Sequence, residues 1–227
     1  MRRAATLWDS TVGKKIVMAV TGLILVLFVL GHAFGNLKVY QGPEHFNAYA
    51  QGLREFGAPL LAHGQVLWLV RIVLIVSVLL HVWAGIALTL KSWGERKTPY
   101  RKFDYLGFVW ASRTMFWGGL IIFAFVTYHL MDLTFGNAHA GQFVDGDVYH
   151  NFVTSFSHWP VSAAYVAGMI PLGLHLYHGF WSMFQTLGWN NPRYNAYRRP
   201  LAALIALAIF LVNISFPLAV LTGIVHE

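Results

Sequence analysis

Four histidines stand inside long apolar runs of the chain: His32, His81, His129 and, in the fourth run, either His175 or His178. An imidazole in a lipid-buried helix is costly unless it finds a partner, and it then faces the interior of the bundle. One such residue reads as a helix-to-helix hydrogen bond, whereas four in four successive runs read as ligands. The chain has 11 histidines and no cysteine, so imidazole nitrogen is its strongest transition-metal donor. Disulfides, Cys-ligated zinc, Cys-ligated iron–sulfur clusters and thioether-attached haem are excluded within it.

The elements that must position these rings are apolar helices. Of the 227 residues, 57% are hydrophobic and 11% charged, against about a quarter charged in an average soluble domain. Five stretches, residues 16–36, 66–90, 114–133, 161–187 and 201–225, are long enough to cross a hydrocarbon core of about 30 Å, which takes about 20 helical residues. Backbone groups in lipid must pair within their own segment, so five isolated runs imply five helices and not a barrel. The expectation is an all-α integral membrane protein with one domain over residues 1–227. Met1 to Lys15 is polar and the first run has no small-residue exit, so no cleaved signal peptide is expected.

The formal charge of +7 sits in a few loops. Of 16 Lys and Arg, all but Lys38, Arg54 and Arg71 fall in the amino-terminal tail, between Lys91 and Arg113, or between runs four and five. The positive-inside rule then places the amino terminus in the cytoplasm and the carboxy terminus outside, in the cell's inner membrane. Basic residues that flank spans point to anionic lipid as a partner and away from nucleic acid.

Depth sorts the histidines into pairs. Counted from Lys15 and Arg113, His32 and His129 lie 17 and 16 residues in; counted from Lys91 and Gly188, His81 and His178 each lie 10 in. At about 1.5 Å per residue these are two levels, roughly 25 and 15 Å above the cytoplasmic ends. In an up-down bundle spans one and three face each other across a diagonal, as do spans two and four. Each pair thus leaves room for a flat macrocycle, and bis-histidine haem b fits, whereas zinc or copper needs three or four donors at one depth. His175, one turn farther out on the same face, lines the bundle or binds a propionate. Ser77, His81 and Gly85 share one face, and Gly31, Gly35 and Gly179 adjoin other histidines; both close approach of a cofactor and simple helix packing use such small residues.

The remaining polar residues carry weaker signals. Ser112 and Arg113 could hold a propionate or a quinone carbonyl, or Arg113 could be an ordinary interfacial anchor. Arg71 and Asp132 are ionisable near the outer interface, where snorkelling or an ion pair is the default. His45, His63, His139, His150 and His158 are expected as solvated surface residues. Glu44 to Phe56 has the spacing of a short interfacial helix, while Asn190-Asn191-Pro192 and Arg199-Pro200 mark the turn before the last span.

Over almost its whole length the chain resembles the single-chain, five-span, dihaem cytochrome b anchor of succinate:quinone and quinol:fumarate oxidoreductases. Gly31-His32, Ser112-Arg113-Thr114-Met115, Tyr128-His129-Leu130 and above all Leu174-His175-Leu176-Tyr177-His178-Gly179-Phe180-Trp181-Ser182, running into Phe184-Gln185-Thr186-Leu187-Gly188, carry the resemblance. It implies that the first four spans surround two haems b, with axial pairs His32 with His129 and His81 with His178. It also implies two cytoplasmic partners, an iron–sulfur subunit and a flavoprotein with FAD and the dicarboxylate site. The anchor is then the non-dicarboxylate-binding part of an enzyme of the respiratory chain and tricarboxylic acid cycle. Its basic segment Lys91 to Arg113 is the implied docking surface. Quinone, expected as menaquinone, is the membrane substrate; Ser112 and Arg113 are inner candidates for its site and Glu44, His45 and Arg71 outer ones. Leu176 stands where some fumarate-reducing members carry a glutamate, which leans toward succinate oxidation. A quinol:fumarate reductase anchor, a dihaem b subunit of a hydrogenase or formate dehydrogenase, and a haem-free proton channel or transporter are the alternatives, and association into a higher oligomer stays open.

Overall fold

The computed structural model describes residues 8–95 and 110–227, apart from the side chains of residues 110–113. Every regular element among the described residues is helical. Seven α-helices follow one another: α1 (Thr11–Asn36), α2 (Pro43–Glu55), α3 (Gln65–Glu95), α4 (Trp110–Leu133), α5 (Val148–Ser157), α6 (Trp159–Thr186) and α7 (Pro192–Leu221).

Local chemistry accounts for the ends. Ser10 opens α1 by accepting a 2.9 Å hydrogen bond from the Gly13 N–H, and Asn191 opens α7 by accepting from Arg193 N–H with Pro192 in the first turn. That cap starts α7 nine residues before the expected Leu201. Arg199-Pro200 is therefore not a turn: Pro200 lies inside the helix. The missing N–H frees one carbonyl, a loss that membrane-length helices absorb.

Four described helical segments are long and apolar enough to cross a membrane: residues 11–41, 65–95, 114–133 and 192–221. Five were expected. The remaining long helix, α6, has 28 residues and no Asp, Glu, Lys or Arg, but histidine, tyrosine, serine and glycine dilute its hydropathy. Its position accounts for the difference, because α6 packs against four other helices, α7, α4, α1 and α5. A helix packed against several others needs lipid-compatible residues over less of its circumference. By contrast α3 turns Trp68, Leu69, Ile72, Ile75, Val76 and Leu79 outward and buries only Ser77 and Ala84. Small residues inside and large apolar residues outside is the arrangement expected where lipid is the solvent.

The packing order around the bundle is α1 beside α3, α3 lightly against α4, α4 beside α6, and α6 beside α1. This leaves α1 and α4 on one diagonal and α3 and α6 on the other, with α7 outside against α6 and α1. The end at which α1 and α4 finish and α3 and α6 begin is called the upper end here. A core of Val39, Phe46, Phe152, Phe156, Val161 and Phe216, among others, closes it beneath α2 and α5.

The short helix α2 matches the expected segment within one residue at each end. The helix α5 was not expected, although Asp147 followed by apolar residues at 148, 149, 152, 153 and 156 has the pattern of a capped amphipathic helix. Asp147 accepts from the His150 N–H at 3.0 Å and from Asn47 Nδ2 at 2.9 Å, while Asn47 Oδ1 accepts from Tyr149 N–H at 3.0 Å. The His150 N–H, opposed by slight burial and aided by the Asn47 amide, lowers the Asp147 carboxyl below its usual range. A depressed carboxyl stabilises the fold above its unfolded pKa and stops doing so as pH falls through the folded value. Asp147→Ala should therefore cost about 1 kcal/mol at neutral pH, the usual worth of such a cap. That corresponds to roughly 2–4 °C in a thermal melt for a chain of this size. The difference from the parent should vanish in melts well below pH 4, about the unfolded aspartate pKa.

Candidate functional site

Two histidine pairs face each other across the two diagonals. At the upper level His32 of α1 meets His129 of α4, with ring centres 5.8 Å apart and planes at 81°. At the lower level His81 of α3 meets His175 of α6, with ring centres 6.1 Å apart and planes at 58°. Gly22 stands against His81 and is ten residues from His32 along α1, which separates the two levels by about 15 Å.

The ring expected opposite His81 was that of His178; the ring found there is His175. His178 instead sits edge-to-face with Trp181 at 5.3 Å, and the Arg199 guanidinium lies over the same indole at 5.0 Å. The expected depths take Lys91 and Gly188 as the cytoplasmic ends of the two spans. In the structure α3 runs to Glu95 and α6 stops at Thr186. Counted from those ends His81 is 14 residues in, His175 is 11 and His178 only 8.

Each ring is held by its surroundings. His81 Nδ1 is 3.1 Å from the Met18 carbonyl and 3.2 Å from Thr21 Oγ1, both on α1. Donation to a backbone carbonyl from Nδ1 leaves Nε2 as the free lone pair, which is the tautomer a metal ligand needs. A Cβ on Gly22 would come within 3.2 Å of His81 Cε1, so glycine is what lets α1 approach this ring. His129 Nδ1 is 3.3 Å from the Tyr165 hydroxyl and Phe125 stacks on its ring. Phe28 stacks on His32, whose Nε2 has Asn36 Nδ2 at 3.3 Å, a long contact that ligation at that nitrogen would replace. His175 and His178 both bury Nδ1 without a partner.

The ring-centre separations would suit two imidazoles that hold one metal between them. Metal–nitrogen bonds of about 2 Å, plus about 1 Å from each nitrogen to its ring centre, separate ring centres by about 6 Å. The observed separations of 5.8 and 6.1 Å are close to that value. Among the described residues no three His, Cys, Asp or Glu converge, so each level offers two donors. A haem iron, which brings four macrocycle nitrogens of its own, would take one such pair as its protein ligands.

The other expected residues are dispersed. Ser77 is buried one turn from His81 toward the upper level. Arg71 lies over the Trp68 ring at 5.0 Å. Glu44 and His45 are exposed in the first turn of α2. The side chains of Ser112 and Arg113, and the basic stretch from residue 96 to 109, lie outside the described residues. Directly after Arg113, an apolar groove of about 340 Å³ between α4 and α6 is bordered by Met115, Gly118, Pro171, Leu174 and His175.

His139 is not the solvated residue expected. Its side chain is fully buried and 2.9 Å from Asp132 Oδ1, itself fully buried. Asp132 Oδ2 accepts from Ser155 Oγ and Tyr165 Oη, each at 2.7 Å. The one sequence signal was the carboxylate itself, since an acid placed one turn beyond His129 in an apolar helix demands partners.

These elements define an all-helical chain with membrane-length helices and two facing histidine pairs. Compared with known protein families, curated proteins and solved structures, the chain matches none.

Proposed function

We propose that the chain is the dihaem cytochrome b anchor of a succinate:quinone oxidoreductase, with α6 as a fifth membrane-spanning helix and the amino terminus in the cytoplasm. The observation that carries the reading is the pair of facing histidine pairs, one on each diagonal of a single bundle. His32 with His129 would hold the outer haem and His81 with His175 the inner one. Bound there, the haems would supply one-electron redox chemistry.

The chain's own contribution is ligands, orientation and a dry surround. Met18 and Thr21 orient His81. The groove between α4 and α6 has mostly apolar walls and His175 at its edge, which suits a quinone ring whose isoprenoid tail stays in lipid. Ser112 and Arg113 adjoin that groove in sequence, so the inner side is the favoured quinone position. Leu176 is buried against Val26, Ala206 and Ile209. That apolar packing, where a glutamate would serve a transmembrane proton route, supports succinate oxidation over fumarate reduction. The iron–sulfur subunit would dock at the basic cytoplasmic end, and the flavoprotein behind it would carry FAD and bind the dicarboxylate.

A dithionite-reduced minus oxidised difference spectrum of the purified chain, with extracted haem counted per chain, tests the reading. Two b haems are expected. A well-folded preparation without haem would overturn it and leave the histidines as packing or proton-relay residues.

A further inference from the structure

A buried hydrogen-bonded chain ends on one of the four paired rings. Its centre is Asp132 on α4, which has no exposed surface. The carboxylate accepts from His139 in the following loop, Ser155 of α5 and Tyr165 of α6, so three separate segments converge on one side chain. Ser155 is also fully buried. The Tyr165 hydroxyl has one proton, which it donates to Asp132 at 2.7 Å, so toward His129 Nδ1 at 3.3 Å it can only accept. With Tyr165 O–H given to Asp132, the bond that links His129 to Tyr165 runs from the Nδ1 N–H to the phenolic oxygen.

A lock that merely joined α4, α5 and α6 would be complete with the bonds of Ser155, His139 and Tyr165 to Asp132, and would not need Tyr165 to touch His129. The extension through Tyr165 to His129 has a different consequence. A carboxylate behind the hydroxyl makes its oxygen a stronger acceptor, and a stronger acceptor at Nδ1 makes Nε2 a better electron donor. Greater donation from an axial imidazole favours the oxidised iron and lowers its reduction potential. His81 has no equivalent, because its Nδ1 meets a neutral carbonyl and a threonine hydroxyl.

We propose that Asp132 and Tyr165 are positioning residues for His129, which fix its tautomer and set the outer site's potential below the value that the histidine pair alone would give. The inference rests on the dihaem reading.

The test is a spectroelectrochemical titration of the purified full-length chain with both haems bound, the outer haem being the one whose signal disappears in His32→Ala. In Asp132→Asn, which removes the charge and keeps the shape, the outer haem's reduction equilibrium should shift about tenfold toward the reduced form. For a one-electron couple that is about 59 mV upward. Tyr165→Phe should move the same haem in the same direction, and the inner haem should stay in place in both. Asp132→Glu, which keeps the charge, should lie nearer the parent. An outer potential unmoved in Tyr165→Phe, or an equal movement of both haems, would overturn the proposal. Tyr165→Phe deletes one oxygen and leaves Asp132 bonded to Ser155 and His139, so it decides the matter if Asp132→Asn does not accumulate. A parent chain without haem would instead sink the dihaem reading, an outcome distinguishable from both.

Discussion

His175→Ala is expected to yield protein with one b haem per chain in place of two, whereas His178→Ala should keep both. The two histidines are three residues apart on the same face of α6, so the sequence treats them almost alike. Their surroundings differ. The His175 ring is 6.1 Å from that of His81, a separation that admits a metal between them, while His178 is turned to Trp181 at 5.3 Å. His81→Ala should remove the same haem as His175→Ala, because a single remaining axial imidazole loses the opposed pair that fixes the ring. His32→Ala and His129→Ala should remove the other. Haem counted per folded chain, together with difference spectra, reads all five variants. Loss of a haem from His178→Ala with retention in His175→Ala would restore the pairing that depth counting suggested and refute the structural one.

Asp132→Ala should be among the most destabilising single changes in the chain. It leaves Ser155 Oγ, Tyr165 Oη and His139 Nδ1 without their acceptor where no water reaches Asp132. Removing one partner from a buried ionic or hydrogen-bonded cluster costs about 3–5 kcal/mol, since the orphaned groups remain desolvated. For a chain of this size that is a fall of roughly 10 °C in midpoint, measured by thermal melting in detergent. The contrast with Asp147→Ala is informative. Both are acids near the upper end, but Asp147 is partly solvated and water replaces its partners, so its loss costs about 1 kcal/mol. A midpoint for Asp132→Ala within a few degrees of the parent would mean that the cluster is reached by water and is not the desolvated junction its geometry indicates.

Much of the architecture was legible because lipid-compatible helices announce themselves by composition alone. The runs around His32, His81 and His129 and the last apolar run correspond to helices long and apolar enough to cross a membrane. The run around His175 corresponds to a helix that is long but less apolar, since α6 packs against α7, α4, α1 and α5 and need not satisfy lipid on those sides. The short helix α2 was visible in its spacing, and α5 was overlooked though its cap and apolar period were present. Helix ends were the weak point: Pro200 reads as a stop, yet α7 passes through it because its first turn is already capped by Asn191.

By itself the sequence determined that this is an all-helical chain, that imidazoles stand within its apolar helices, and where its cations gather. Those properties are local: each depends on residue type and spacing within one segment. Only the tertiary structure decided that His175 faces His81, that Asp132 gathers His139, Ser155 and Tyr165, and that Tyr165 reaches His129. Which of two same-face histidines meets a partner depends on where each helix begins and how far it is shifted along its axis. Packing against neighbouring helices sets that shift, and a displacement of one turn, about 5.4 Å, exchanges one ring for the other.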